Sequence, residues 1–403
     1  MDEIGRAYLS LALDIDRHLE GFVDAYFGPP ELQAQTRAGE PRLLSILADD
    51  VRQLQAAVGD SDYDPQRKDF LARQTRAMAA VIRNLSGDQL EFVEEVQQYF
   101  DITPQMVDEG SFEQGHAVLD RLLPGDGPVF ERLAEWEEGL QLEPDLILPV
   151  FEVACAETRR RTQDLFDLPP GEDLSLHIVQ NQPWGAYNWY LGNYRSCIDL
   201  NIDVPPKVSG VVPLMTHEAY AGHHTEHATK EYHLYRQQGR GEHAVQLLLA
   251  PECVLSEGIA DSAHEILFGD ADLASFLRDE LYPRAGLSTA DVERQIRIGQ
   301  VAQTLRGVGG NAALLLHRDG WSPERVQQYV ERYALRTPLE AARTISFIGN
   351  PLFRSYIFNY ATGKALLASL LSGPDAVANF RRLLCEPFTP TQVRQWVTKR
   401  KTS

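Results

Sequence analysis

Helical periodicity constrains this chain more than any other feature, because it runs through most of its length and breaks off once. From Ile4 to about Val107 apolar residues recur at three- and four-residue steps. Tyr8, Leu11, Ala12, Ile15, Leu19 and Phe22 form one such stripe, which buries one face of a helix and leaves the other wet. The Gly28-Pro29-Pro30 turn is expected to stop that helix. Further helices are expected at about 40–58, 65–85 and 88–100, and another helical pattern reaches about Phe166 after the Gly/Pro-rich run at 123–128.

The texture changes at Pro169. Between Ser175 and Asp203 lie β-branched and aromatic runs broken by glycine: Leu176–Val179, Gly185–Tyr190 and Ser196–Asn201. These read as three short strands of an antiparallel meander, and from Val211 the helical period resumes almost to the end. The expected fold is mostly α (α+β), with a helical lobe over residues 1–168. A second lobe over residues 169–403 holds a small antiparallel sheet at about 175–203, placed before a histidine-bearing helix.

Composition excludes several functions. With 403 residues, 43% hydrophobic and 24% charged, the chain is an ordinary globular one. A formal charge of −20 repels phosphate backbones, so no nucleic-acid partner is expected. Cys155, Cys197, Cys253 and Cys385 form no Cys-x-x-Cys pair, which argues against a thiolate zinc finger and a disulfide framework. The first residues lack a basic segment followed by an apolar core, and no stretch is long and apolar enough to span a bilayer. No membrane partner and a cytoplasmic location are therefore expected; the oligomeric state is not readable.

Seven of the eleven histidines fall between His217 and His264. The segment Met215-Thr216-His217-Glu218-Ala219-Tyr220-Ala221-Gly222-His223-His224 approaches the His-Glu-x-x-His pattern of zinc peptidases. That pattern sets two imidazoles one helical turn apart and leaves the glutamate to act on a metal-bound water. Here alanine occupies position 221, where the second histidine would stand. In an unbroken helix His223 would point roughly 240° away, and His224 would face correctly but lie about 10 Å along the axis. The helix must bulge or break for either to join His217, and Gly222 is the candidate break. Downstream, Glu257, Asp261 and His264 share a helical face. Glu257 suits a third ligand and Asp261 a partner that orients a ligating imidazole.

At these residues the chain resembles the family catalogued as domain of unknown function 885, grouped with the gluzincin metallopeptidases, whose members usually carry His-Glu-Ala-Tyr-Pro-Gly-His-His. The Ser256-Glu257-Gly258 segment is similar to that family's second motif, and weaker echoes occur at His317–Ser322 and Asn350–Gly363. The likeness covers roughly residues 170–370. It implies a helical gluzincin-like fold and Zn(2+) held by His217, His223 and Glu257. Comparison with Gly-His in related gluzincins favours His223, whereas helical facing favours His224 as the second ligand. Glu218 would be the general base and Tyr360 the donor to the oxyanion, with Tyr356 and Arg354 on the same segment. The resemblance also implies that a peptide adds to an edge strand, for which Ser196–Asn201 is the candidate. Asn201 and Arg354 would then bind substrate, and Trp184, Tyr187 and Trp189 would wall the pocket. The expected activity is a zinc-dependent hydrolase cleaving peptide bonds. The alternatives are a zinc amidase or deacylase on a small amide substrate, and a non-catalytic helical binding protein with a degenerate site.

Overall fold

The computed structural model describes residues 1–182 and 184–402. Helices α1 (Glu3–Asp16), α2 (Pro30–Arg37), α3 (Leu44–Asp60), α4 (Pro65–Leu85), α5 (Phe92–Phe100), α6 (Glu109–Leu122), α7 (Val129–Glu138) and α8 (Ile147–Leu165) open the chain, with strand β1 (Val23–Tyr26) after α1. Local chemistry marks the starts of α1 and α4. Asp2 accepts from the Gly5 amide to cap α1, and Asp64 accepts from the Arg67 amide to cap α4, which has Pro65 at its first turn. Along α1 the stripe Tyr8, Leu11, Ala12 and Ile15 is buried, as its period requires.

The first helix is shorter than expected. Asp16 ends it, because its carboxylate accepts from the Gly21 and Val23 amides and turns the chain into β1. Leu19 and Phe22 therefore belong to the turn. β1 pairs antiparallel with β5 (Val245–Leu247), two hundred residues away, with Val23 opposite Leu247.

β2 (Asp173–Val179), β3 (Ala186–Gly192) and β4 (Arg195–Asn201) form the main sheet. Its order is β2-β4-β3, with β4 parallel to β2 and antiparallel to β3. The meander is thus corrected to a mixed sheet. Only β3 and β4 are joined by a tight turn, at Gly192–Tyr194, where Gly192, Asn193 and Tyr194 all take positive φ. β2 lies on the far side of β4, so Ser196–Asn201 is the central strand and offers no free edge.

Next come α9 (Val208–Leu214), a π-helical turn (Met215–Ala219), α10 (His223–Lys230), a second π-turn (Glu231–Gln237) and α11 (Pro251–Leu267). Helices α12 to α20 follow: Asp270–Phe276, Tyr282–Arg284, Val292–Thr304, Gly307–His317, Pro323–Ala334, Pro338–Gly349, Phe358–Leu367, Ala376–Cys385 and Pro390–Thr402. No helix among the described residues is long and apolar enough to cross a membrane. One hydrophobic core joins Tyr8, Phe70, Phe100 and Phe112 to Val254, Leu314 and Phe358; a second joins Phe151, Ile198 and Met215 to Ile259, Tyr282 and Phe380. Both cores draw on residues from either side of position 168.

One helix crossing places the site. A side-chain carbon on Gly258 of α11 would lie 2.7 Å from the carbonyl of Gly363 on α18, and one on Gly363 would strike the Val254 carbonyl. Paired glycines let the two backbones touch. They bring Glu257 and Tyr360 to the same cavity.

Candidate metal centre

The histidine segment is bent by its own sequence. Pro213 lies inside α9 and supplies no amide, and the chain then widens into the π-turn closed by the Tyr220 amide on the Met215 carbonyl. Tyr220 is extended, the Tyr220–Ala221 peptide is cis, and α10 restarts at His223. Gly222 is needed at the crossing point. A Cβ there would overlap the carbonyl oxygens of His217 and Thr216 and lie 2.6 Å from the His217 carbonyl carbon.

The break brings the His217 and His223 rings to 4.7 Å, edge to face. His217 Nε2 lies 3.5 Å from Glu257 Oε2, and His223 Nε2 lies 3.8 Å from Glu257 Oε1. One donor atom from each residue falls within 4.8 Å of the others, so the three could hold a metal ion. Ligand bonds of about 2.1 Å in tetrahedral array would space nitrogen and oxygen about 3.4 Å apart. Glu257 Oε2 is buried without a hydrogen-bond partner, the condition expected of a carboxylate oxygen that receives a cation. The donor set fits zinc.

Each of the three donor side chains is held from behind. His217 Nδ1 donates to Asp261 Oδ1 at 3.1 Å, and Arg306 pairs with the other Asp261 oxygen at 2.7 Å. His223 Nδ1 lies 3.1 Å from Ser256 Oγ, which donates to Glu226 Oε2 at 2.6 Å; Lys230 pairs with Glu226. Because the serine proton goes to Glu226, the imidazole donates its own Nδ1 proton and presents a bare Nε2. Tyr356 OH donates to Glu257 Oε1 at 2.6 Å. The Ser256–Glu226–Lys230 relay is the part sequence reasoning missed. Its signal was Ser256 beside Glu257, with Glu226 four residues before Lys230 on one helical face.

Burial shapes the charge on the cluster. Burial raises the Glu257 carboxyl to about 7 against the opposing pull of His217, with Asp261 raising it further. Burial also raises Glu218, with His217 opposing and Asp24 adding to the shift. Burial holds His223 far below the usual imidazole range, aided by its histidine neighbours. Burial opposes protonation of His217 too, but Asp261, Glu218 and Glu257 outweigh it and raise the imidazole.

The cluster opens into a cavity of about 610 Å³, within the size range of small-ligand sites. Asp24, Tyr187, Glu218, Arg343, Phe353 and Tyr360 are among its walls. Asn188 donates to the Glu218 carbonyl at 2.5 Å, fixing β3 against the π-turn. Burial and the surrounding carboxylates hold the Tyr360 hydroxyl protonated, far above its ordinary range.

Other expected site residues fall elsewhere. His224 is fully buried, with Nδ1 2.8 Å from Ser196 Oγ and Nε2 3.0 Å from Glu172 Oε2, so it points away from His217. Arg354 is corrected: its guanidinium is taken up by buried Glu95, with Nε 2.9 Å from Oε1, and it does not line the cavity. Asn201 does line the cavity, but its amide is spent on the carbonyls of Gln182 and Trp184. Trp184 and Tyr187 reach the cavity wall, whereas Trp189 is exposed and is not among its walls. His264 stacks on Phe268 away from the cluster.

No protein-family profile and no curated protein sequence matches the chain. Among solved structures it is similar to a protein provisionally described as a lipoprotein from Colwellia psychrerythraea, with 15% identity and a TM-score of 0.56. That match covers 88% of this chain and 66% of the other, so the chain spans just under two thirds of that protein. A lipoprotein of unknown function from Shewanella oneidensis, also provisionally so described, matches with 13% identity, a TM-score of 0.49 and coverage of 88% and 72%. The M32 carboxypeptidase from Deinococcus radiodurans R1 matches with 12% identity, a TM-score of 0.40 and coverage of 98% and 90%. The Colwellia likeness is one of fold.

Proposed function

We propose that the protein is a zinc-dependent metallopeptidase, with the ion held by His217 Nε2, His223 Nε2 and Glu257. One observation carries the reading: two imidazoles and a carboxylate converge on one point, each braced from behind, with Glu218 beside them at a cavity. A purely structural site would need no extra carboxylate there. The bound ion would supply a polarised, readily ionised water.

The chain's own residues account for the remaining roles. Glu218, whose carboxyl burial raises, takes a proton from the nucleophilic water and passes it to the leaving amine. The Tyr360 hydroxyl, held protonated, donates to the developing oxyanion. The edge available to an extended peptide is β3, Ala186–Gly192, in place of the central Ser196–Asn201.

The test is hydrolysis of a mixed peptide library, followed by mass spectrometry, beside metal content for wild type and Glu218→Gln. The expected result is equal zinc in both proteins, with cleavage slowed about 10²–10⁴-fold in the variant. Zinc-loaded wild type that cleaves no peptide would overturn the peptidase reading.

A further inference from the structure

A second cluster of metal-ligating groups lies beyond the cavity walls, on the face of the three-stranded sheet that also carries Tyr187 and Trp189. β2 and β4 run parallel in register, so His177 stands opposite Asp199 and Ser175 opposite Cys197. Side chains two apart on a strand share a face, which puts His177, Cys197 and Asp199 on one side. His177 Nδ1 lies 3.1 Å from Cys197 Sγ, Cys197 Sγ lies 3.6 Å from Asp199 Oδ1, and His177 Nδ1 lies 3.8 Å from the same oxygen.

These separations can be set against a metal's demands. Bonds of about 2.1 Å to nitrogen and oxygen and about 2.3 Å to sulfur, in tetrahedral array, space nitrogen and sulfur about 3.6 Å apart. They space sulfur and oxygen about 3.6 Å apart and nitrogen and oxygen about 3.4 Å apart. Every edge of the triangle is within about 0.5 Å of that. Trp189 holds the carboxylate in place, its indole N–H donating to Asp199 Oδ2 at 2.8 Å and leaving Oδ1 for the cluster.

The same three residues do not make a hydrolytic nucleophile. The His177 side chain is 58% exposed on an open sheet face. Burial, partly offset by Ser175, keeps the Cys197 thiol above its ordinary range and so protonated.

We propose that His177, Cys197 and Asp199 form a second metal site, for a borderline divalent ion of the zinc, cobalt or nickel kind, with solvent at the fourth position. Mixed nitrogen, thiolate and carboxylate ligands suit such ions and not magnesium or calcium. Binding breaks the S–H bond: the thiol proton passes to solvent and the sulfur lone pair bonds the metal, with no change of oxidation state. The ion would staple β2 to β4 across their register. The site is independent of the one at His217, which contains no cysteine.

Cobalt(II) titration of the full chain tests it, because a thiolate ligand gives a near-ultraviolet charge-transfer band that imidazole and carboxylate do not. The expected result is a band that saturates by two equivalents in wild type and at one equivalent in His217→Ala, is lost in Cys197→Ser, and is weakened at least tenfold in apparent affinity in His177→Ala and Asp199→Asn. His177 is exposed and Cys197 and Asp199 are half-buried, and metal-free melting temperatures equal to wild type confirm that the variants fold. No band in wild type, or a band that persists in Cys197→Ser, overturns the proposal. A band present in His217→Ala upholds it whether or not the cleft binds metal.

Discussion

Replacing Gly222 by alanine probes how the chain reconciles a six-residue histidine spacing with the single shared ion proposed above. The added methyl would lie 2.6 Å from the His217 carbonyl carbon and closer still to two carbonyl oxygens. Nonbonded carbons prefer about 3.5–4.0 Å, so the π-turn or the start of α10 must retreat by at least about 1 Å. Metal-ligand constellations tolerate about 0.5 Å of misplacement. The structure therefore predicts that Gly222→Ala loses metal affinity at the His217 cluster by at least about 100-fold, together with about 1–3 kcal/mol of stability from overpacking. Gly210→Ala is the control. It lies in α9, where a methyl meets nothing within 4 Å, and should gain up to about 1 kcal/mol through helix propensity. Zinc affinity by chelator competition and thermal unfolding read both variants, in a Cys197→Ser background that removes the sheet site. Wild-type zinc affinity in Gly222→Ala would refute the geometric argument.

Further outcomes follow from the groups behind the ligands. Ser256→Ala removes the hydroxyl between His223 and Glu226 and should weaken zinc binding about 10–100-fold in the same competition assay, with the fold intact. The Glu172 carboxyl is depressed to about 2. Burial opposes that shift, but hydrogen bonds from His224, Tyr220 and Arg159 outweigh it. A carboxylate whose folded pKa lies below its usual 4.5 contributes stability that is full above about 4.5 and is lost as pH falls from there towards 2. Unfolding of Glu172→Gln by denaturant should show lower stability than wild type at neutral pH and a difference that shrinks through that acid window.

What the sequence disclosed follows from the range of each interaction. The apolar stripe from Tyr8 to Ile15 and the start of α4 at Pro65 are local, and both stand where their pattern put them. Asp16 ended α1 early through bonds to Gly21 and Val23, which an apolar stripe running on to Phe22 conceals. Strand order is not local. The three strand segments were legible, but nothing in Leu176–Val179 states that it lies beside β4, parallel to it, and not beside β3. At the site, Gly222 marked the break, yet the choice between His223 and His224 depended on the turn's geometry. Once α10 restarts at His223, that ring faces His217, while His224 falls to the buried Ser196 and Glu172. Arg354 showed a motif-like position and no sign of Glu95, its partner 259 residues away.

The account rests on a metal held between α10, α11 and the π-turn, so elemental analysis of protein purified without a metal-affinity column is its most direct test. In the Cys197→Ser background the expected content is about one zinc per chain, absent from His217→Ala and from Glu257→Ala. Protein that holds no zinc after incubation with the ion, or that holds it undiminished in both variants, would contradict the account.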